Sequence, residues 1–196
     1  MNRYILLIGS LLLSGTLQAQ SPYGRSSVRL GADLTSLDAP DAVGTRYMGR
    51  LARHFKNDRI VVAAEAGYLY ISTLTQLFNG IDPGPNRRER FTADATVFYD
   101  FLRHPRHALR LGVGVSAWYR RENTYRGARI LSSPSSTGGV AIDRQQLHGL
   151  NTGGHLATEY EWLFNSRWGL DVRLRVANLK GAGISSMLGG GISHRF

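Results

Sequence analysis

The chain has 196 residues, no cysteine, a formal net charge of +10 and a sequence pI near 10.5. Without cysteine there is no disulfide framework, no thiolate metal site and no lipid-modified N-terminal cysteine. The basic residues are almost all arginine, the lysines being Lys56 and Lys180 alone, a bias that favours bidentate pairing with carboxylates or phosphates over plain solubility.

The N-terminus reads as a secretory leader over residues 1–19. Arg3 supplies the positive region, Tyr4 to Leu13 the apolar stretch, and Leu17-Gln18-Ala19 the cleavage site. A strongly basic chain often points to nucleic acid, but an exported one does not meet it, so no nucleic-acid partner is expected. After residue 19 no run approaches the roughly eighteen apolar residues of a helical membrane span. Residues 20–196 are read as one domain.

Alternation of apolar and polar residues then recurs in eight segments. The first, 26–35, sets Val28, Leu30, Ala32 and Leu34 against Arg29, Gly31 and Asp33. The second, 46–55, sets Tyr47, Gly49, Leu51, Arg53 and Phe55 against Arg46, Met48, Arg50, Ala52 and His54, and Lys56-Asn57-Asp58 reads as a tight turn. The third, 59–71, opposes Ile60, Val62, Ala64, Ala66, Tyr68 and Tyr70 to a face with Glu65 and Gly67. The fourth, 89–101, is the clearest, with Phe91, Ala93, Ala95, Val97, Tyr99 and Phe101 alternating with Arg90, Thr92, Asp94, Thr96, Phe98 and Asp100.

The fifth segment, 108–120, alternates Leu109, Leu111, Val113, Val115, Ala117 and Tyr119 with Arg110, Gly112, Gly114, Ser116, Trp118 and Arg120. The sixth, 148–163, carries Leu150, Leu156, Tyr160 and Trp162 opposite Asn151, Gly153, His155, Glu159 and Glu161. The seventh, 168–178, opposes Trp168, Leu170, Val172, Leu174 and Val176 to Asp171, Arg173 and Arg175. The eighth, 184–196, opposes Ile184, Leu188, Gly190, Ile192, His194 and Phe196 to Met187, Gly189, Gly191, Ser193 and Arg195. Segments 36–45, 72–88 and 121–147 are expected as long connections. Segments 56–58, 102–107, 164–167 and 179–183 are expected as short ones.

Three features favour a membrane barrel over a soluble sandwich. The apolar face carries a single formal charge, Arg53, near a strand end where it can snorkel. The opposite face carries nearly balanced charges of both signs, as an enclosed space demands. Aromatic residues of the apolar face gather at the strand ends, as they do at both membrane interfaces. The expected fold is therefore all-β, an eight-stranded antiparallel up-and-down transmembrane barrel, with the short turns on one side and the longer loops on the other.

The chain resembles the small outer-membrane β-barrel superfamily, which includes the membrane domain of OmpA and the OmpX-like barrels. The likeness covers residues 26–196 and rests on strand pattern. Its most specific element is the ending Leu188-Gly189-Gly190-Gly191-Ile192-Ser193-His194-Arg195-Phe196. The resemblance implies residence in the outer membrane of a Gram-negative cell, and a role for Phe196 as the signal read by the barrel-assembly machinery. His194 departs from the family, which more often has an aromatic residue such as tyrosine there.

An eight-stranded barrel is filled by its own side chains, so the lumen is expected to be closed by an ion network of Arg29, Asp33, Arg50, Glu65, Asp94, Arg110, Glu159, Asp171 and Arg173. Arg87, Arg88, Arg90, Arg120, Arg121, Arg126 and Arg129 flank the fourth and fifth strands and are expected to form an outer rim that binds lipopolysaccharide phosphate. The loop 121–147 is read as exposed and flexible around Ser132-Ser133-Pro134. As catalytic groups, Ser193-His194 and His155 with Glu159 fail on geometry, and His148 near Asp143 lacks a serine partner. No cofactor or metal is expected, and the chain is read as a monomer. A structural or surface-interaction role leads. A narrow solute channel and a lipid A modifying enzyme are the alternatives.

Overall fold

A computed structural model describes residues 26–37, 43–73, 84–102, 104–133 and 136–196, so the leader read at 1–19 lies outside it. Its strands are β1 (Ser26–Ser36), β2 (Val43–Phe55), β3 (Ile60–Thr73), β4 (Asn86–Asp100), β5 (His107–Ser133), β6 (Ser136–Leu163), β7 (Trp168–Leu179) and β8 (Gly183–Arg195). Each pairs antiparallel with its neighbours in order, and β1 pairs with β8 to close the barrel. At the seam the Ser26 amide donates to the Phe196 carbonyl at 3.2 Å and the Phe196 amide to the Ser26 carbonyl at 2.9 Å. Among the described residues no helix is long and apolar enough to cross a membrane; the crossing elements are strands.

The end of the barrel where β1 begins and β8 finishes is called here the near end, and the opposite one the far end. At the near end β2 turns into β3 through Lys56, Asn57 and Asp58, with φ of 50°, 56° and 67°. Asn and Asp tolerate this left-handed region because their short polar side chains bond locally, whereas Lys56 adopts it with no such help. At the far end Gly181 and Gly183, with φ of 78° and 71°, make the compact turn between β7 and β8.

The period-2 pattern sets the faces. Leu30, Leu51, Val62, Val97, Leu111, Leu156, Val172, Leu174 and Leu188 are all exposed on the outside, an apolar belt that only a lipid environment makes favourable. Toward the far end the belt finishes in one row of register partners, Tyr47, Tyr68, Phe91 and Tyr119, on four successive strands. Tyr68 and Phe91 pack with ring centroids 5.0 Å apart. Toward the near end Tyr99 and Phe101 stack edge-on at 4.9 Å, and Trp162 and Trp168 sit close to Phe164 and His194. Arg53 does lie outside, exposed, with its guanidinium 5.9 Å from the Phe55 ring at the end of the strand.

One expectation is overturned. Segment 121–147, read as a flexible loop, is mostly strand: β5 and β6 pair continuously from His107 and Trp162 to Ser133 and Ser136, with irregularities only near Tyr125–Gly127 and Leu131–Ser133. Beyond Asn123 on β5, and before Gly153 on β6, the two strands pair with each other alone. They form a two-stranded ribbon standing past the barrel wall. A ribbon with neither face against lipid has no reason to alternate, so periodicity does not reveal it.

Placing a charge in the belt measures the lipid contact directly. Leu111→Arg and Leu174→Arg are each expected to cost about 2–4 kcal/mol in reversible urea unfolding from lipid vesicles. Unchanged midpoints would mean that these side chains do not face hydrocarbon.

Candidate functional site

The inner face of the barrel is layered. Nearest the near end, Glu159 sits among three arginines. Arg29 binds it with both terminal nitrogens at 2.5 and 2.8 Å, Arg110 donates at 2.8 Å, and Arg50 makes a further close pair. Glu161 accepts from Arg110 at 2.8 Å, from Arg195 at 2.6 Å and from the Ser193 hydroxyl at 2.6 Å. Asp171 lies 3.1 Å from Arg29 Nε and 3.5 Å from Arg173.

In the middle layer Arg46, fully buried, donates to Asp33 at 3.0 Å, Glu65 at 2.8 Å, Asp94 at 2.6 Å and Thr92 at 2.9 Å. Arg175 bridges Asp94 and Glu65 at 2.8 and 3.0 Å, and Arg173 donates to Asp33 at 2.9 Å. The pairs join distant parts of the chain: 130 residues separate Arg29 from Glu159, and 140 separate Arg173 from Asp33.

All nine residues expected in the lumen thus face inward and touch one another in these two layers. Arg46, Arg175, Glu161 and Arg195, read from sequence only as inner-face charges, are equal members. Glycines make room for them. A Cβ on Gly31 would meet Arg173 Nη2 at 2.7 Å, and one on Gly67 would meet Arg46 Nε at 2.7 Å.

Toward the far end an apolar cluster joins the inward charges, a feature that the charge pattern alone does not reveal. Leu37, Leu69, Ile71, Trp118, Ala177, Leu179, Ala182 and Met187 form a buried apolar cap. Trp118 joins the layers by donating its indole N–H to Asp94 at 3.2 Å. The cap has a sequence signature, apolar residues on the inward parity at the far ends of β3, β5, β7 and β8. It goes unnoticed when the inner face is scanned for charge.

His155 does not approach Glu159. It is buried between the Ser116 hydroxyl at 2.7 Å and the Thr96 hydroxyl at 2.8 Å, in space left by Gly114. Ser193 bonds Glu161, while His194 turns outward to Trp168. Among the described residues no group of histidines and carboxylates is placed to hold a metal ion.

The seven rim arginines do not form one patch. Arg87 and Arg88 are neighbours and so face opposite sides of the sheet. Arg87 and Arg121 are exposed on the outside. Arg88, Arg90 and Arg120 share the inward parity of Thr92 and Trp118, and Arg90 is buried with one nitrogen 3.2 Å from Glu122. Arg126 and Arg129 lie on the ribbon, Arg129 exposed and 3.9 Å from Asp143. Arg90 and Arg120 thus keep the inner-face parity read from the sequence, and Arg88 joins them on it.

No protein-family model matches the sequence, and neither does any curated protein. Solved structures do. The Neisserial surface protein A, NspA, superposes with a TM-score of 0.62 at 12% identity, covering 91% of this chain and 100% of that one. Ail, the attachment invasion locus protein of Yersinia pestis, crystallised with the heparin analogue sucrose octasulfate, gives 0.54 at 12% identity over 87% of this chain and 99% of its own. OprG, an outer membrane protein of Pseudomonas aeruginosa, gives 0.52 at 8% identity over 90% and 99%. This chain has the fold of the small outer-membrane barrels. A closed barrel wearing an apolar belt is built to span a bilayer.

The layered lumen makes two predictions. Glu159→Gln leaves Arg29, Arg50 and Arg110 short of charge and is expected to cost about 3–5 kcal/mol in urea unfolding. Adding Arg50→Met should restore part of that loss; strictly additive costs would show that the pair is not coupled. The second concerns Asp58, in the near-end turn outside the spanning segments. Burial pushes its carboxyl up, but the hydrogen bond to His54 and the charge of Arg195 outweigh this and hold it below its ordinary value. A depressed folded pKa means that the unfolded chain takes up the proton first. The stability advantage of the wild type over Asp58→Asn should therefore be complete near neutrality and vanish as pH falls through the carboxylate range. An advantage independent of pH would exclude the ionised pair.

Proposed function

We propose that this chain is a monomeric, non-enzymatic surface protein of the outer membrane, oriented with its near end toward the periplasm and its lumen closed to solutes. The β5–β6 ribbon presents the interaction surface, outward arginines hold the barrel among lipopolysaccharide, and Phe196 at the seam serves the barrel-assembly machinery. The observation that carries this reading is the ribbon. It extends past the last residues paired to β4 and β7, and among the described residues no further strand pairs with its edges, a form that suits recognition of partners by backbone pairing. Attachment, the role that the name of Ail gives to that protein, is the class of role inferred.

Two ionic layers and an apolar cluster among the inward side chains support closure, as does the narrowness of an eight-stranded barrel. Arg121, one outward position past Tyr119, and Arg87, two past Phe91, continue outward from the aromatic row, which supports contact with lipid phosphates, with Glu89 beside Arg121 as partial offset. Arg126 and Arg129 add charge farther out. The hydroxyl–imidazole pairs Ser116–His155 and Ser27–His54 face the lumen, away from any lipid A substrate.

Planar bilayers containing the purified chain are expected to stay silent; stable single-channel steps would establish the narrow channel instead. Replacing Arg87, Arg121, Arg126 and Arg129 by glutamine should lower the lipopolysaccharide that co-purifies with the folded barrel. Equal amounts in variant and wild type would remove the anchoring role.

A further inference from the structure

Everywhere deeper in the lumen an arginine is met by carboxylates. The far-end mouth differs. There the register aligns Leu69, Arg90, Arg120 and Gly149 in one row across β3 to β6, and Ile71, Arg88, Glu122 and Leu147 in the row beyond it. Arg90 and Arg120 are direct cross-strand partners on the inward face, an arrangement of like charges that opposes pairing. Arg88 is on the same face, and Glu122 is the one carboxylate in these two rows.

The nitrogens are not satisfied. Arg90 is only 5% exposed, and its Nη2 donates to Glu122 at 3.2 Å. Its Nε and Nη1 are buried without a hydrogen-bond partner, as is Arg120 Nε. A buried guanidinium donor left open is costly, and the cost disappears when an acceptor arrives. Arg46, by contrast, has three carboxylates and a threonine.

There is also room. A Cβ added to the inward glycines Gly112, Gly114 or Gly153 would collide with Phe98, with the Ala95 carbonyl and His155, or with the Asn178 backbone. At Gly149, the strand partner of Arg120, it would meet nothing within 4 Å. Trp118, one inward position deeper than Arg120, and Leu69, the strand partner of Arg90, are both fully buried, and apolar surface next to the guanidiniums strengthens their field.

We infer that the far-end mouth is an oxyanion site in which Arg90 and Arg120, with Arg88 beyond them, hold a phosphate or sulfate group in the space beside Gly149. A tetrahedral oxyanion carries enough acceptors to take open donors from two guanidiniums at once, and each planar fork can bind it bidentately. Glu122 keeps its bond to Arg90 Nη2 and sets the tilt of that fork. The site is separate from the outward arginines Arg87 and Arg121, and stands or falls independently of them.

The test uses the full chain refolded in lipopolysaccharide-free detergent, with folding of every variant checked by its heat-modifiable gel mobility. Calorimetric titration with inorganic phosphate, and separately with sulfate, should show one saturable site. Arg90→Gln and Arg120→Gln should each weaken it roughly tenfold or more, the loss of a charged hydrogen bond. Gly149→Leu should abolish it by filling the space while both guanidiniums remain, and serves equally where an arginine variant fails to fold. Arg87→Gln with Arg121→Gln should leave it unchanged. Lipopolysaccharide that displaces the inorganic anion would mark the group as lipid-borne; failure to displace it would mark a soluble anion, and either supports the site. No saturable binding, or binding that survives Gly149→Leu and falls only with Arg87 and Arg121, overturns it.

Discussion

Hydrocarbon offers no partner to a backbone amide or carbonyl, so a sheet crossing it must leave no edge. In this chain the demand is met where β1 meets β8, and with eight strands the resulting cylinder has an interior about as wide as the side chains that project into it. Both faces of every strand are then spoken for. The outside must be as greasy as the lipid it replaces, and the inside, too narrow to hydrate so many ions freely, pairs them with one another. The alternation of leucine and valine with arginine and aspartate is the sequence form of those two requirements.

Inside, the choice of arginine over lysine follows from geometry. A guanidinium presents several donors in fixed directions, so a single Arg46 can serve three carboxylates and a hydroxyl where an ammonium would serve fewer. Such long side chains need space in a narrow tube, and Gly31 and Gly67 provide it beside Arg173 and Arg46. The charge layers end at Trp118, whose indole is half of each world: its N–H binds Asp94 and its rings belong to the apolar cap. Beside the cap carboxylates thin out: Arg90 meets Glu122 alone, and it keeps two nitrogens, and Arg120 one, without a hydrogen-bond partner.

What could be read beforehand was whatever contrast the lipid imposes. Each strand inside the belt announces its two faces, so the eight spanning segments, the turn at Lys56–Asp58 and the membership of the lumen were legible. The ribbon was not, because from Thr124 onward both faces meet the same surroundings. Rim membership alone does not say which side of the wall each arginine takes; parity does, and it sends the neighbours Arg87 and Arg88 to opposite sides. The apolar cap was overlooked because Leu69 and Met187 look like ordinary core residues until parity is applied. Which arginine meets which carboxylate was beyond reach, since the register of every strand enters each pair.

The sequence distance between paired charges bears on how the molecule is made. Glu159 waits for Arg29, Asp33 for Arg173, and Asp58 for Arg195, which lies 137 residues away on the last strand. A sheet that has assembled most of its strands but not yet met its own beginning would carry these ions only partly compensated beside lipid. Such half-curled forms are penalised twice, by the open edge and by the incomplete pairing of the charges. Insertion is thereby driven toward an all-or-none event, in which the final strand locks the cylinder and neutralises its interior in the same step.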